Sequence, residues 1–143
     1  MSGQLSLFKG KRQRGVKPKP AKEFATHVMI ADVLRKWQTP GWRWTHLPFG
    51  EHRNAITGAR LKRMGTQVGW PDFILLKPLN DFLDGPQRCH FLELKRQGVG
   101  LTEFQQSFKV WCDINDFPYA WCDNFNAALA QLKEWGAVRA QIG

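Results

Sequence analysis

The stretch that decides the fold is His90–Lys95, which reads HFLELK. In a β-strand successive side chains point to opposite faces, so Glu93 and Lys95 project together while Leu92 and Leu94 face the other way. The two leucines can then pack into a core, and the acid and the lysine lie side by side on the second face. We predict a strand here, with a polar pair at its C-terminal end.

A shorter apolar segment, Phe73–Leu76, precedes this strand, and Asp72 stands at its start. If the two strands pair, Asp72 lies beside Glu93. Two carboxylates held this close repel each other unless a cation neutralises them, and hard divalent cations take oxygen ligands. The pattern indicates a site for Mg²⁺ or Mn²⁺ on the two carboxylates, where a metal-bound water is a ready nucleophile and Lys95 can position it or stabilise developing charge. The alternative is a turn aspartate and a surface Glu-Lys pair that bind nothing.

The flanking sequence alternates helical and strand patterns. A helix is predicted over Glu23–Trp37 because apolar residues recur at helical spacing, at Phe24, Val28, Ala31, Leu34 and Trp37. Two more helices are predicted, from Thr102 to about Asn115 and from Asp123 or Asn124 to Gly136, with two more strands at Trp42–Leu47 and Pro118–Cys122. Pro48–Gly58 reads as a loop and Ala59–Met64 as a short basic helical turn. The predicted order is α-β-β-β-α-β-α, an α/β domain whose mixed central sheet is flanked by helices.

Length and composition narrow the class of protein. A chain of 143 residues with 43% hydrophobic residues fits one domain with a real core. No apolar run approaches the roughly 20 residues that a membrane span needs, and no hydrophobic signal follows the basic N-terminus. The three cysteines favour buried thiols in a reducing cytoplasm, and the scattered histidines argue against a structural zinc site.

The positive charge is concentrated at the N-terminus. Residues 1–22 carry seven of the 21 lysines and arginines and no acidic residue. We predict an extended or disordered basic arm over residues 1–21, followed by a folded domain over 22–143. Such an arm favours contact with nucleic acid, although a solubilising tail or a localisation signal is an alternative. Candidate phosphate contacts are Lys11, Arg12 and Arg14 in the arm and Arg53, Arg60, Lys62 and Arg63 in the domain, unless the last three only form a solvated helix face.

Four motifs in order carry a resemblance to a known family. They are Arg60–Gly65, Gly69–Asp72, Phe91–Lys95 and Leu101–Gln105. Together they resemble the PD-(D/E)XK nuclease superfamily, and more closely its virus-type replication-repair nuclease branch, the VRR-NUC family. The resemblance covers roughly residues 22–125, and the predicted order of elements is similar to the restriction-endonuclease-like core of that superfamily.

The resemblance implies roles for individual residues. Asp72 and Glu93 would ligate Mg²⁺ with the main-chain carbonyl of Leu94, and Lys95 would be the catalytic lysine. Gln105 matches a glutamine that orients site groups, and Glu23 matches an N-terminal glutamate that ligates metal or water. For Glu23 the alternative is a first-turn glutamate favoured by the helix dipole. One departure is Trp70, which stands where a small aliphatic residue is usual and puts the local packing in question.

A second resemblance lies at the N-terminus, where residues 4–8 read QLSLF. This string resembles the bacterial sliding-clamp-binding pentapeptide, which implies clamp contacts through Gln4, Leu5, Leu7 and Phe8. A short apolar anchor in an extended arm can insert into a preformed groove on a partner. The alternatives are an arm that packs on its own domain and a chance string.

These features predict a Mg²⁺-dependent, structure-selective DNA endonuclease of replication, recombination or repair. The family resemblance implies a homodimer that acts on branched DNA, including Holliday junctions. The expected location is the cytoplasm of a bacterium, or of the host in which a phage protein works. Two alternatives stay open: a flap or restriction-like nuclease of the same chemistry, and a catalytically silent DNA-binding module recruited to the clamp.

Overall fold

The computed structural model describes residues 21–48, 54–79 and 87–139. It has the helices α1 (Ala21–Trp37), α2 (Ala55–Arg63), α3 (Glu103–Ile114) and α4 (Phe125–Trp135), and the strands β1 (Arg43–His46), β2 (Phe73–Leu76), β3 (Cys89–Leu94) and β4 (Tyr119–Cys122). The chain order is therefore α-β-α-β-β-α-β-α. The predicted mixed α/β class is confirmed, and the helical turn predicted at Ala59–Met64 is part of a longer helix, α2.

The four strands form a single sheet in the order β1-β2-β3-β4. The pairs β1-β2 and β2-β3 are antiparallel, whereas β3 and β4 run parallel. Phe73 pairs with Leu92 across β2 and β3, so the start of β2 lies beside the end of β3. The parallel partner of β3 is β4, which follows α3 in the chain because parallel strands need a crossover connection. The prediction of a mixed sheet is confirmed.

One face of the sheet is packed against α1 and α4. Leu92 and Leu94 of β3 are fully buried there, together with Phe73 and Leu75 of β2. Helix residues Ile30, Leu34, Ala128 and Leu132 complete this core. The prediction that the two leucines of HFLELK face the core is therefore confirmed, and Glu93 and Lys95 are directed to the other face by strand alternation.

The second face is covered by α3 over β3 and β4. The ring of Phe108 on α3 lies 5.1 Å from that of Phe91 and 6.0 Å from that of Tyr119. Trp70 joins this cluster with its ring 4.9 Å from Phe108 and 6.2 Å from Phe91. The large side chain at position 70 therefore has a packing role, because it helps to fix α3 next to the chain that enters β2.

Two details of the predicted helices are wrong. The segment 55–58 was expected to be a loop, but it forms the first turn of α2 because the side chain of Asn54 caps that turn by accepting from the N–H of Thr57. In α1 the first half of the predicted apolar stripe is wrong, because Phe24 is 61% exposed and Val28 is exposed, while His27 and Ile30 face inward. Leu34 is buried, as predicted.

The other predicted helix ends are confirmed. Thr102 caps α3 and Asn124 caps α4, each through a side-chain oxygen that accepts from the main chain. Gly136 ends α4 in the left-handed region at φ 77°. Within the described residues no helix is long and apolar enough to cross a membrane. The three cysteines form no disulfide, and burial raises the pKa of Cys112 and that of Cys122 to about 11.

Gly69 sets the distance between the chain entering β2 and the N-terminal turn of α3. Its φ is +88°, and a Cβ at this position would lie 2.6 Å from the main-chain oxygen of Phe104. Only glycine accommodates both the positive φ and this close approach. The contact helps to set the position of Pro71 and Asp72, which follow directly in the chain.

Gly69→Ala should destabilise the protein more than Gly65→Ala, which is a matched control. Both glycines have positive φ, so both variants carry the strain of a left-handed alanine, about 1–2 kcal/mol. A Cβ at Gly65 meets nothing within 4 Å, whereas at Gly69 it meets main-chain atoms that cannot rotate away. We expect an additional loss of about 1–3 kcal/mol for Gly69→Ala in urea unfolding. Equal losses of unfolding free energy in the two variants would mean that the main chain near α3 can shift to make room for a Cβ at position 69.

Candidate metal centre

Asp72 is placed at the start of β2, next to the end of β3. Continuing the register beyond the Phe73–Leu92 pair sets Asp72 opposite Glu93. Asp72 is 7% exposed, and its Oδ2 accepts a hydrogen bond of 2.8 Å from the main-chain N–H of Leu94. The carboxylate thus takes the place of a main-chain carbonyl at the end of the sheet ladder.

The backbone of β3 places the Leu94 carbonyl on the same side as Asp72. The N–H groups of Phe91 and Lys95 bond to the carbonyls of Pro118 and Cys122, on the β4 side. Backbone groups alternate in direction along a strand, so those of Leu94 are directed toward β2. The Leu94 carbonyl is a predicted metal ligand, and its direction is compatible with that prediction.

Glu93 is the most enclosed acid of the site, at 3% exposed. Its Oε1 accepts a hydrogen bond of 2.8 Å from Nε2 of Gln105 on α3. The same oxygen lies 3.6 Å from Nζ of Lys95, whose side chain is 11% exposed. The structure therefore brings Glu93, Lys95 and Gln105 into direct contact.

Gln105 has two roles at once. Its Oε1 accepts from the N–H of Thr102 while its own N–H donates to Oγ1 of Thr102, the reciprocal pair called a capping box. Because the amide oxygen is fixed in this way, the amide nitrogen is directed at Glu93. The start of α3 and the orientation of the Glu93 carboxylate thus depend on one side chain.

The structure brings two histidines to this site, which the sequence did not reveal. Nε2 of His27 on α1 lies 3.5 Å from Oδ2 of Asp72, and the rings of His27 and His46 meet edge to face at 5.3 Å. The two residues are far apart in sequence, so no local pattern could pair them. His90, by contrast, lies in the core between Trp42 and Trp135, where burial lowers its pKa.

Glu23 is half-buried on the first turn of α1, one helical turn before His27. Residues four apart lie on one helix face, and His27 contacts Asp72, so this face of α1 is the one directed toward the site. The predicted role of Glu23 as a metal or water ligand stays a prediction.

Tyr119 on β4 is a further residue near the site that no local pattern in the sequence indicates. It pairs with Phe91 in the parallel register, so its side chain shares a face with Glu93. Burial raises the pKa of Tyr119, and the negative charges of Glu93 and Asp72 act in the same direction, so the phenol stays neutral. Among the described residues its buried hydroxyl has no hydrogen-bond partner.

The predicted phosphate contacts divide into two groups. Arg60, Lys62 and Arg63 lie in the last turn of α2, a helix with no buried residue and no acid in its first turn. The remaining candidates, Lys11, Arg12, Arg14 and Arg53, lie outside the described residues, as do the clamp-motif residues Gln4, Leu5, Leu7 and Phe8.

The donor set fits a hard divalent cation. Two buried carboxylates and a main-chain carbonyl offer oxygen atoms only, which suits Mg²⁺ or Mn²⁺. In the described parts of the chain no three His, Cys, Asp or Glu side chains converge into a cage for a metal ion. Mg²⁺ is typically held by one or two carboxylates, with waters and substrate phosphate completing its coordination.

Gln105→Ala should weaken Mn²⁺ binding, whereas Thr102→Ala should not. Each variant removes part of the capping box and should lower the free energy of unfolding by about 1 kcal/mol. Only Gln105→Ala also removes the donor that orients Glu93, so only it should reduce Mn²⁺ affinity, by about 10-fold or more in calorimetry. Equal Mn²⁺ affinity in the two variants would show that this amide does not support the carboxylate.

Comparison of the chain with protein-family models, with curated proteins and with solved structures gives no match.

Proposed function

We propose that the protein is a metal-dependent DNA endonuclease whose centre is formed by Asp72, Glu93 and Lys95. The observation that carries the proposal is the enclosure of Glu93: a 3% exposed carboxylate with Lys95 and Gln105 on one oxygen, next to the carboxylate of Asp72. Burying two acids side by side is costly unless donors and positive charge compensate them. A bound cation would add to the compensation that Gln105 and Lys95 supply.

The chemistry follows from the position of each group. A bound Mg²⁺ or Mn²⁺ supplies positive charge beside the scissile phosphate and lowers the pKa of water. Asp72, Glu93 and the Leu94 carbonyl would hold the cation. The Lys95 ammonium, beside Glu93, would donate to a phosphate oxygen or to the attacking water and stabilise the charge that develops in the transition state. Gln105 would keep the Glu93 carboxylate in one orientation.

The proposed fold is the restriction-endonuclease-like core of the PD-(D/E)XK superfamily, in its VRR-NUC branch. What supports it is the mixed sheet in which the Asp and Glu-x-Lys motifs stand on adjacent antiparallel strands, followed by α3 with its glutamine. Helix α2 lies between β1 and β2 and carries the basic motif.

DNA as substrate is supported by charge. The net charge of +9 is concentrated in the N-terminal arm, and α2 adds the exposed Arg60, Lys62 and Arg63 close in sequence to Asp72. Such contacts bind phosphate without reading sequence. Selectivity for branched DNA and a homodimer with two symmetric sites follow from the family resemblance, since a two-fold dimer presents its sites to two symmetric strands.

Asp72→Asn and Lys95→Ala should each reduce cleavage at least about 100-fold and leave DNA binding largely intact. The assay uses labelled four-way junction, flap, single-stranded and duplex DNA with Mg²⁺, Mn²⁺ or EDTA. Asp32→Asn and Lys109→Ala are matched controls, because they remove the same charges from surface ion pairs on α1 and α3.

The outcomes of this assay separate the candidate functions. Paired symmetric nicks in junctions alone would support a resolvase, and cleavage of flaps or duplex would support a flap or restriction-like nuclease. If the wild-type protein binds DNA but cleaves none of these substrates with either metal, the enzyme proposal is wrong and a DNA-binding module remains.

We further propose that residues 4–8 tether the nuclease to a bacterial sliding clamp. The support is the QLSLF string, which has the apolar pair Leu7-Phe8 that a hydrophobic groove requires. A tether raises the effective concentration of the enzyme at the DNA that the clamp encircles.

Leu7→Ala combined with Phe8→Ala should abolish binding to purified clamp in a pull-down, while cleavage of free junction DNA stays at the wild-type level. Gln13→Ala, in the same arm but outside the motif, is the control. Unchanged clamp binding in the double variant would exclude the motif as the contact.

A further inference from the structure

His27 is a buried side chain at the centre that the proposed chemistry does not use. It is 8% exposed, it comes from α1, and its Nε2 lies 3.5 Å from Oδ2 of Asp72. The same oxygen already accepts from the N–H of Leu94. Two groups from different elements, a helix side chain and a strand backbone, therefore converge on one oxygen of the proposed metal ligand.

The orientation of the His27 ring is fixed by its neighbours. The ring of His46 on β1 meets it edge to face, at 5.3 Å and 88° between planes. Phe73 lies 5.8 Å from the ring of His27 and 5.4 Å from that of His46. The His27 ring thus packs against two neighbouring rings, and this contact limits its rotation and favours the direction of Nε2 toward Asp72.

The position of Nε2 matters because carboxylates that bind metal are themselves oriented by hydrogen-bonding groups. Loss of such a group typically weakens metal binding about 10- to 100-fold. Imidazole nitrogen carrying a proton is a donor, and a carboxylate oxygen can accept from more than one donor. The Leu94 N–H restrains the Asp72 carboxylate from β3, and Nε2 of His27 approaches the same oxygen from α1.

We propose that His27 is a positioning residue of the metal centre, which holds the Asp72 carboxylate in its ligating orientation and thereby makes α1 part of the site. This inference rests on the proposed function, because it needs a cation at Asp72. His46 contributes indirectly, since its ring and that of Phe73 keep the His27 ring in place.

The test is the Mn²⁺ affinity of purified protein without DNA, measured by electron paramagnetic resonance of free and bound Mn²⁺. His27→Leu keeps side-chain volume but has no donor, and we expect about 10- to 100-fold weaker binding. His27→Gln can present its Nε2 hydrogens to the same oxygen and should recover most of the affinity. Phe24→Ala, on the exposed side of the same helix, should bind Mn²⁺ as the wild type does.

Each other outcome overturns the inference. Wild-type Mn²⁺ affinity in His27→Leu would show that the contact between His27 and Asp72 does not contribute to metal binding. Equal weakening in His27→Leu and His27→Gln would show that a donated hydrogen is not what matters.

The same titration separates this inference from the proposed function. If Asp72→Asn loses Mn²⁺ and His27→Leu keeps it, only the role of His27 is wrong. If the wild type binds no Mn²⁺, or Asp72→Asn binds as well as the wild type, both are wrong. Circular dichroism of every variant confirms folding, and His27→Ala replaces His27→Leu if the leucine variant does not fold.

Discussion

The hydrogen bond from the Leu94 N–H to Oδ2 of Asp72 is the interaction on which the site depends. It joins the start of β2 to the end of β3 at the position where the main-chain ladder stops. Through it, a carboxylate substitutes for a ladder carbonyl and is held beside Glu93. Because the two strands run antiparallel, motifs that are about twenty residues apart in the sequence meet at one edge of the sheet.

The burial of the two acids accounts for the contacts that the surrounding helices and strands make with them. A carboxylate at 3% exposure loses most of its hydration, so it needs donors and positive charge in place of water. Glu93 receives both on one oxygen, from Gln105 on α3 and from Lys95, the residue directly after β3. The helix start is coupled to this arrangement because Gln105 also closes the capping box with Thr102. Helix α3 therefore both packs on the sheet and completes the site.

Two residues just before β2, Gly69 and Trp70, determine how this part of the chain packs on α3. Gly69 brings the main chain so close to Phe104 that a side chain there has no space. Trp70 then packs on Phe108 from the same side. Together they fix the position of the chain that carries Asp72 relative to the helix that carries Gln105.

The sequence by itself determined the strand HFLELK, its alternation of core and polar faces, and three of the four helices, because periodicity and capping are local properties. It also pointed to Asp72, Glu93 and Lys95, which the structure places together. Only the tertiary structure decided which face of α1 turns inward, since Phe24 and His27 both fit a helix and packing chooses between them. For the same reason only the fold could bring His27 and Tyr119 to the site: each reaches it through contacts between elements that are distant in the chain, and a local pattern carries no record of such contacts.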